Sequence, residues 1–375
     1  MIDPIGSFEK IRDFYIAYLD TEFRVIDEEL MEERRNIFRQ PGMLTTEPYF
    51  EPIPRYRSSD STIADLAESS DLWPDHFSRE GRDAWKALLT DTGFMRDYTV
   101  YSHQEEMLRR GIHQGEPGII TSGTGSGKTE SFLMPVFASL ANEAVKWPCP
   151  KAGFLKENKW WNEDGKFKPH RSGESPERKK AVRALILYPL NALVEDQLVR
   201  LRKALDSEEA HEVMDKHFKG NRIFFGRYTS ATRPTGFYRH PRASYLEKES
   251  KKEWEQKKAR GEQDFRKIFQ DAEATQKKCE GSEDVNVRFN FPQTDGGELL
   301  SRWDMQETPP DVLITNTSML SVMLAREEEE PLLAKTRDWI IADDDAVFFL
   351  ILDELHLYRG SAGGEVANLI RLLVE

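Results

Sequence analysis

The sequence predicts an α/β fold: a parallel sheet with helices on both faces, preceded by a mainly helical accessory domain. Two observations carry this. The first is a glycine-rich stretch, Gly118-Ile119-Ile120-Thr121-Ser122-Gly123-Thr124-Gly125-Ser126-Gly127-Lys128-Thr129-Glu130, which reads as a strand, a tight turn and a helix start. The second is a set of apolar runs at 184–188, 312–314 and 347–352, the first ended by Pro189 and the other two followed by polar residues. Unbroken apolar runs of strand length are what a strand buried on both faces of a parallel sheet requires.

The turn has its own chemistry. Gly123, Gly125 and Gly127 let the backbone take positive φ and turn its N–H groups inward around an anion. A helix beginning at Lys128 adds the positive end of its dipole. Ser122, Gly123, Thr124, Gly125, Ser126 and Gly127 then form a cradle for a nucleotide triphosphate, Lys128 reaches the β- and γ-phosphates, and the Thr129 hydroxyl ligates Mg²⁺. Ser122 stands where the strict pattern has its first glycine. Alone, the stretch also reads as a flexible glycine loop. The run at 347–352 ends in Asp353-Glu354-Leu355-His356, and the carboxyl end of a strand is where α/β sheets bind ligands. Asp353 there holds Mg²⁺ through water, and Glu354 orients and deprotonates the water that attacks the γ-phosphate. An Asp-Glu pair is often solvated surface. A cradle and such a pair on one chain, each on its own predicted strand, argue against that.

Composition narrows the class. The 375 residues are 38% hydrophobic with eight Trp, enough for a large domain and an accessory one. No apolar run reaches membrane-spanning length, and the N-terminus lacks the basic and apolar regions of a signal peptide. Two cysteines, Cys149 and Cys279, exclude a disulfide framework, a four-cysteine zinc site and an iron–sulfur site, so a cytoplasmic context is expected. The net charge of −13 argues against a generic basic coat for nucleic acid, though not against a locally positive groove.

Residues 1–90 are expected to form the helical accessory region. Phe8, Ile11, Tyr15 and Tyr18 recur at helical spacing, with Ser7 as a candidate cap, and a second helix is expected over 27–39 before Pro41-Gly42. Pro48, Pro52 and Pro54 impose an extended strip over 47–56, suited to packing on another surface or to a partner. The core domain is expected over 91–375. Gln104 precedes the cradle by one short helix and offers an acceptor and two donors, which suit the N6/N7 edge of adenine. A helix is expected over 131–145. An insertion over about 146–180 mixes Trp147, Trp160, Trp161 and Phe167 with lysines, either to stack bases or as a loop folded on its own tryptophans. Pro189 ends the strand at 184–188, and the helix starting near Asn191 has free N–H groups that suit a nucleic-acid phosphate. A second insertion, about 245–285, is nearly all charge and is expected as a solvated helix or a protruding hairpin.

The order of phosphate loop, Pro189-Leu190-Asn191-Ala192-Leu193, Thr315-Asn316 and Asp353-Glu354-Leu355-His356 resembles a superfamily 2 helicase of the DEAD/DEAH box type. More narrowly, the Asp353–His356 motif with Tyr358-Arg359-Gly360 is similar to the MrfA-like branch of DNA helicases. Ser301-Arg302-Trp303-Asp304-Met305-Gln306 and Pro309-Pro310-Asp311 are similar to large phage-defence helicases of the Druantia or DISARM type. The resemblance implies a RecA-like lobe that uses ATP and Mg²⁺, with Gln104 at the adenine. It implies that Pro189, Asn191, Thr315 and Asn316 grip a nucleic-acid backbone, DNA rather than RNA, with 3′ to 5′ movement. It also implies a second RecA lobe, absent from this chain, that supplies an arginine, and other defence proteins as partners. An RNA helicase of the same fold and an ATP-controlled scaffold are the alternative readings.

Overall fold

The computed structural model describes residues 3–46, 49, 55–95, 98–113, 115–123, 125–162, 166–279 and 285–374. Most of the proline strip at 47–56, Thr124 and residues 163–165 of the first insertion lie outside them. The chain divides into two compact units, Met1–Arg55 and Tyr56–Glu375.

The first unit holds α1 (Pro4–Glu22) and α2 (Glu28–Arg39). The cap of α1 is Asp3, not Ser7, because Pro4 starts the helix four residues earlier and Asp3 accepts from the N–H groups of Ile5 and Gly6. Asp27 caps α2 in the same way. Arg34 and Arg35 both bond Asp20, at 2.6 and 2.5 Å, and tie the two helices together.

The second unit opens with α3 (Ile63–Glu68), α4 (Arg79–Thr90), α5 (Ser102–Ile112) and α6 (Lys128–Ala144). After α7 (Phe154–Glu157) come β1 (Ala184–Tyr188), α8 (Asn191–Leu205), α9 (Glu208–His217) and β2 (Phe225–Tyr228). Then follow α10 (Lys248–Cys279), β3 (Glu298–Leu299), α11 (Arg302–Glu307), β4 (Val312–Asn316), α12 (Thr317–Ala325), α13 (Glu330–Ala342), β5 (Phe349–Leu352) and α14 (Gly360–Val374). The five strands form one parallel sheet in the order β3-β2-β4-β1-β5. Alternation along each strand feeds two cores. Ala184, Ile186, Val312 and Ile314 join α3, α4, α5, α6, α8 and α9 on one face, while Leu185, Leu187 and Leu313 join α12 and α13 on the other. The parallel α/β fold read from the apolar runs is therefore observed. Trp85, whose indole N–H donates to the Met134 carbonyl at 3.0 Å, fastens α4 to α6. The helices between residues 56 and 90 thus share the main core of the sheet.

One expected element is missing. Residues 118–121 join no ladder, and Ile119 is 77% exposed. The outer edge of β5 is unpaired among the described residues, so nothing fixes that stretch as a strand.

At the amino ends of the strands lies a buried ionic network. Asp311, just before β4, accepts from Arg178 at 2.8 Å and from the Phe224 N–H at 2.7 Å, and has Arg183 at 3.3 Å and Arg171 at 3.6 Å. Glu174 pairs with Arg171 and Arg178, and Glu143 with Arg183. Burial alone would raise the Asp311 carboxyl, and the three guanidiniums more than cancel that, so it sits below its ordinary value.

The two insertions meet. The charged run at 245–285 contains a single 32-residue helix, α10, whose Gly261, Phe265, Phe269 and Ala272 form a buried stripe. Trp160, Trp161 and Phe167 of the first insertion pack on that stripe with Tyr238 and Trp303. These tryptophans are folded inward, so their faces are not open for stacking bases. Glu273 fixes the contact, accepting from Asn162 Nδ2 at 3.0 Å and Trp161 Nε1 at 3.2 Å. Those two donors hold its carboxyl down at about 2, against an ordinary value of 4.5. The contribution of Glu273 to the contact is therefore complete above about pH 4.5 and lost as the pH falls through about 2. Tryptophan fluorescence should report this loosening in acid, and Glu273→Gln should flatten it. Superimposable titrations of variant and parent would remove Glu273 from that role.

Candidate functional site

Gly125 and Gly127 take left-handed φ of 76° and 73°, and Gly127 is the residue before α6. Two of the three glycines thus bend the loop as the cradle requires; Gly123 has no positive φ. The loop is stapled from within. The Ser126 hydroxyl donates to the Gly123 carbonyl at 2.7 Å and meets the Ser122 hydroxyl at 2.6 Å, which gives Ser122 a structural use in place of glycine. Lys128 and Thr129 open α6, with Thr129 buried.

The first turn of α5 holds the loop from outside. Gln104 is buried. Its Oε1 accepts the Tyr101 N–H at 2.9 Å, and its Nε2 donates to the Gly127 carbonyl at 3.2 Å. His103 Nε2 lies 2.9 Å from the Ser126 carbonyl, and its ring stacks on Tyr101. In the sequence His103 looks merely structural. The structure sets it against the phosphate loop, a contact between residues 23 apart that no local pattern announces. Beside the loop, Tyr56, His103, Met107, Arg110, Ile119 and Ser122 line a cleft of about 580 Å³.

The acidic pair closes the site from the sheet. The ladder between β1 and β5 runs to Leu187 and Leu352, and the Asp353 N–H still donates to the Leu187 carbonyl at 3.0 Å. Glu354 takes a left-handed φ of 50°, uncommon outside glycine, and its N–H donates to Asp353 Oδ1 at 2.8 Å. His356 Nδ1 lies 3.1 Å from Glu354 Oε2. Burial raises the Asp353 carboxyl above its ordinary value. The Glu354 charge adds to the rise, while the Glu354 N–H, Lys128 and Arg200 oppose it. Loop lysine and strand-end carboxylate therefore share one field. Arg200 of α8 also reaches Glu130 in the first turn of α6, at 3.2 Å. A loop bent at Gly125 and Gly127, a lysine, a buried threonine and a carboxylate with one oxygen unbonded among the described residues fit a nucleotide with Mg²⁺.

Of the expected nucleic-acid residues, Asn191 and Asn316 are brought together. The β1–β4 register ends with Tyr188 opposite Asn316, and Asn316 Nδ2 donates to Asn191 Oδ1 at 2.7 Å. Asn316 Oδ1 caps α12 by accepting the Met319 N–H at 2.7 Å, and Asn191 is the exposed first residue of α8. Pro189 is half-buried just before them. Thr315 is turned away, because alternation points it into the sheet, where its hydroxyl donates to the Tyr228 carbonyl at 2.5 Å.

Residues 101–223 match the family model of DEAD/DEAH box helicases. The chain is 30% identical over 383 residues to "Druantia protein DruE" of Escherichia coli, an alignment that covers 95% of this chain and 19% of that protein. No solved structure matches. Among the described residues, no helix is long and apolar enough to cross a membrane. Residues 101–223 are thus similar to DEAD/DEAH box helicases, and nearly the whole length of the chain is similar to part of a Druantia protein.

Proposed function

We propose that this chain binds and hydrolyses ATP and uses the cycle to move along DNA, 3′ to 5′, as the first RecA-like lobe of an antiphage-defence helicase. The observation that carries this is one chain holding a loop bent at Gly125 and Gly127 that runs into Lys128 and Thr129 at the start of α6, and Asp353 and Glu354 at the carboxyl end of β5. The N–H groups of 123–127 and Lys128 hold the phosphates. Thr129 and Asp353 hold Mg²⁺, which when bound neutralises phosphate charge. Glu354 takes the proton of the attacking water, and adenine enters the cleft beside Tyr56 and His103. Gln104 acts there by fixing the loop, since its amide is bonded to Gly127 and Tyr101. Asn191, Asn316 and the free N–H groups of the α8 start grip the strand backbone on the same rim. The chain spans 19% of its relative, which leaves room elsewhere in such a protein for a second lobe with its arginine and for defence partners. The setting is the cytoplasm.

Lys128→Ala tests the cradle. Loss of a charged hydrogen-bond donor should weaken ATP binding by about 10–100-fold. Equal affinity by calorimetry would remove the loop from this role. Competition between matched DNA and RNA oligonucleotides decides the substrate, because backbone grip alone does not read a 2′-hydroxyl.

A further inference from the structure

Tyr188 ends β1 and is 1% exposed, yet its hydroxyl has no hydrogen-bond partner among the described residues. Such a hydroxyl is costly to bury, and a phenylalanine would fill the same space without that cost. Its position shows what partner is in reach. Leu187 pairs with Leu352, so the next residues, Tyr188 and Asp353, stand side by side. They share the face of Ile186 and Ile351, the face against which α6, the helix that follows the phosphate loop, packs. Paired strands lie about 4.8 Å apart. Of the Asp353 carboxylate, Oδ1 accepts the Glu354 N–H, and no bond to Oδ2 is present among the described residues. An acceptor without a donor thus stands beside a donor without an acceptor. Burial and the charges of Asp353 and Glu354 push the Tyr188 hydroxyl above its ordinary value, with Arg200 opposing, so it stays a donor. Tyr358, a few residues past Asp353, has a second buried and unbonded hydroxyl that also feels the Asp353 charge.

We propose that Tyr188 is a positioning residue for Asp353: its hydroxyl donates to the free carboxylate oxygen when magnesium nucleotide enters, and so fixes the carboxylate for the metal. The inference rests on the ATP-site reading. Its effect falls on metal-dependent affinity and not on the grip of the phosphates, because the loop and Lys128 act without Asp353.

The test is calorimetry of the non-hydrolysable analogue AMP-PNP binding to the 375-residue chain, in excess magnesium and in EDTA. The ratio of the two affinities is the metal's contribution. Tyr188→Phe keeps the ring and deletes the hydroxyl. It should lower the ratio about tenfold, leave the EDTA affinity unchanged and leave the thermal midpoint unchanged or higher. In an Asp353→Asn background the same change should have no effect on the ratio. A ratio equal to the parent's, or an equal loss with and without metal, would overturn the inference and leave the ATP site standing. A parent that binds no nucleotide even with magnesium would overturn the ATP-site reading and the inference with it.

Discussion

Glu354→Gln should leave ATP binding intact and lower turnover by about 10²–10⁴-fold, the range for loss of a general base. Glutamine has the size of glutamate and cannot take a proton. The backbone supports this separation. Glu354 sits at a φ of 50° with its N–H on Asp353 Oδ1, and neither feature depends on the side-chain charge. A left-handed non-glycine residue is strained, and such strain is concentrated at functional positions. Here the turn away from strand geometry comes at Glu354, one residue after Asp353, whose N–H still continues the β5 ladder. The check is steady-state phosphate release with nucleic acid present, alongside a binding titration. Unchanged turnover would remove Glu354 from the role of base. Loss of binding would mean that the substitution had disturbed Asp353 instead.

The second large effect is on stability. Asp311→Asn should destabilise the second unit by about 3–5 kcal/mol, the cost of breaking a buried charge pair from one side. Three guanidiniums, of Arg171, Arg178 and Arg183, would then face only Glu174 and the partly exposed Glu143. Burial already lowers Arg178 to about 10, and Asp311 and Glu174 are the charges that oppose this. The site is also a joint between strands. The Asp311 carbonyl accepts the Arg183 and Ala184 N–H groups, its N–H donates to Phe224, and its carboxylate accepts the Phe224 N–H. Urea denaturation should show the loss. A change below about 1 kcal/mol would mean that Arg178 and Arg171 find compensating partners or reach water.

Local chemistry was legible in the sequence, and long-range packing was not. The strands β1 and β4 announce themselves because burial on both faces demands continuous apolar residues, whereas β5 has the same apolar run but, at the sheet edge, is only half-buried. The loop glycines announce a bend because only glycine reaches that φ freely. The missing strand at 118–121 has a good local pattern, but a strand exists only by pairing, and pairing is not local. Thr315 was expected at the nucleic-acid rim and faces inward, because a motif's spacing does not give the parity of its side chains on the sheet. The apolar stripe of α10 is sparse and hidden among charges, and its partners lie about a hundred residues earlier. The division of the chain after Arg55 likewise follows from the packing of α3 and α4 on α6, which helix periodicity alone does not reveal.

That hidden stripe has a consequence for how such chains can be altered or diversified. Residues 146–180 and α10 are separate in sequence but share a single aromatic core, so neither is an independent module. Deleting α10 would turn Trp160, Trp161 and Phe167 out to water, and deleting the first insertion would bare Phe265 and Phe269. Either truncation would leave a sticky surface where the pair leaves none. Grafting, loss or exchange of these segments among related chains is therefore tolerated only when both travel together.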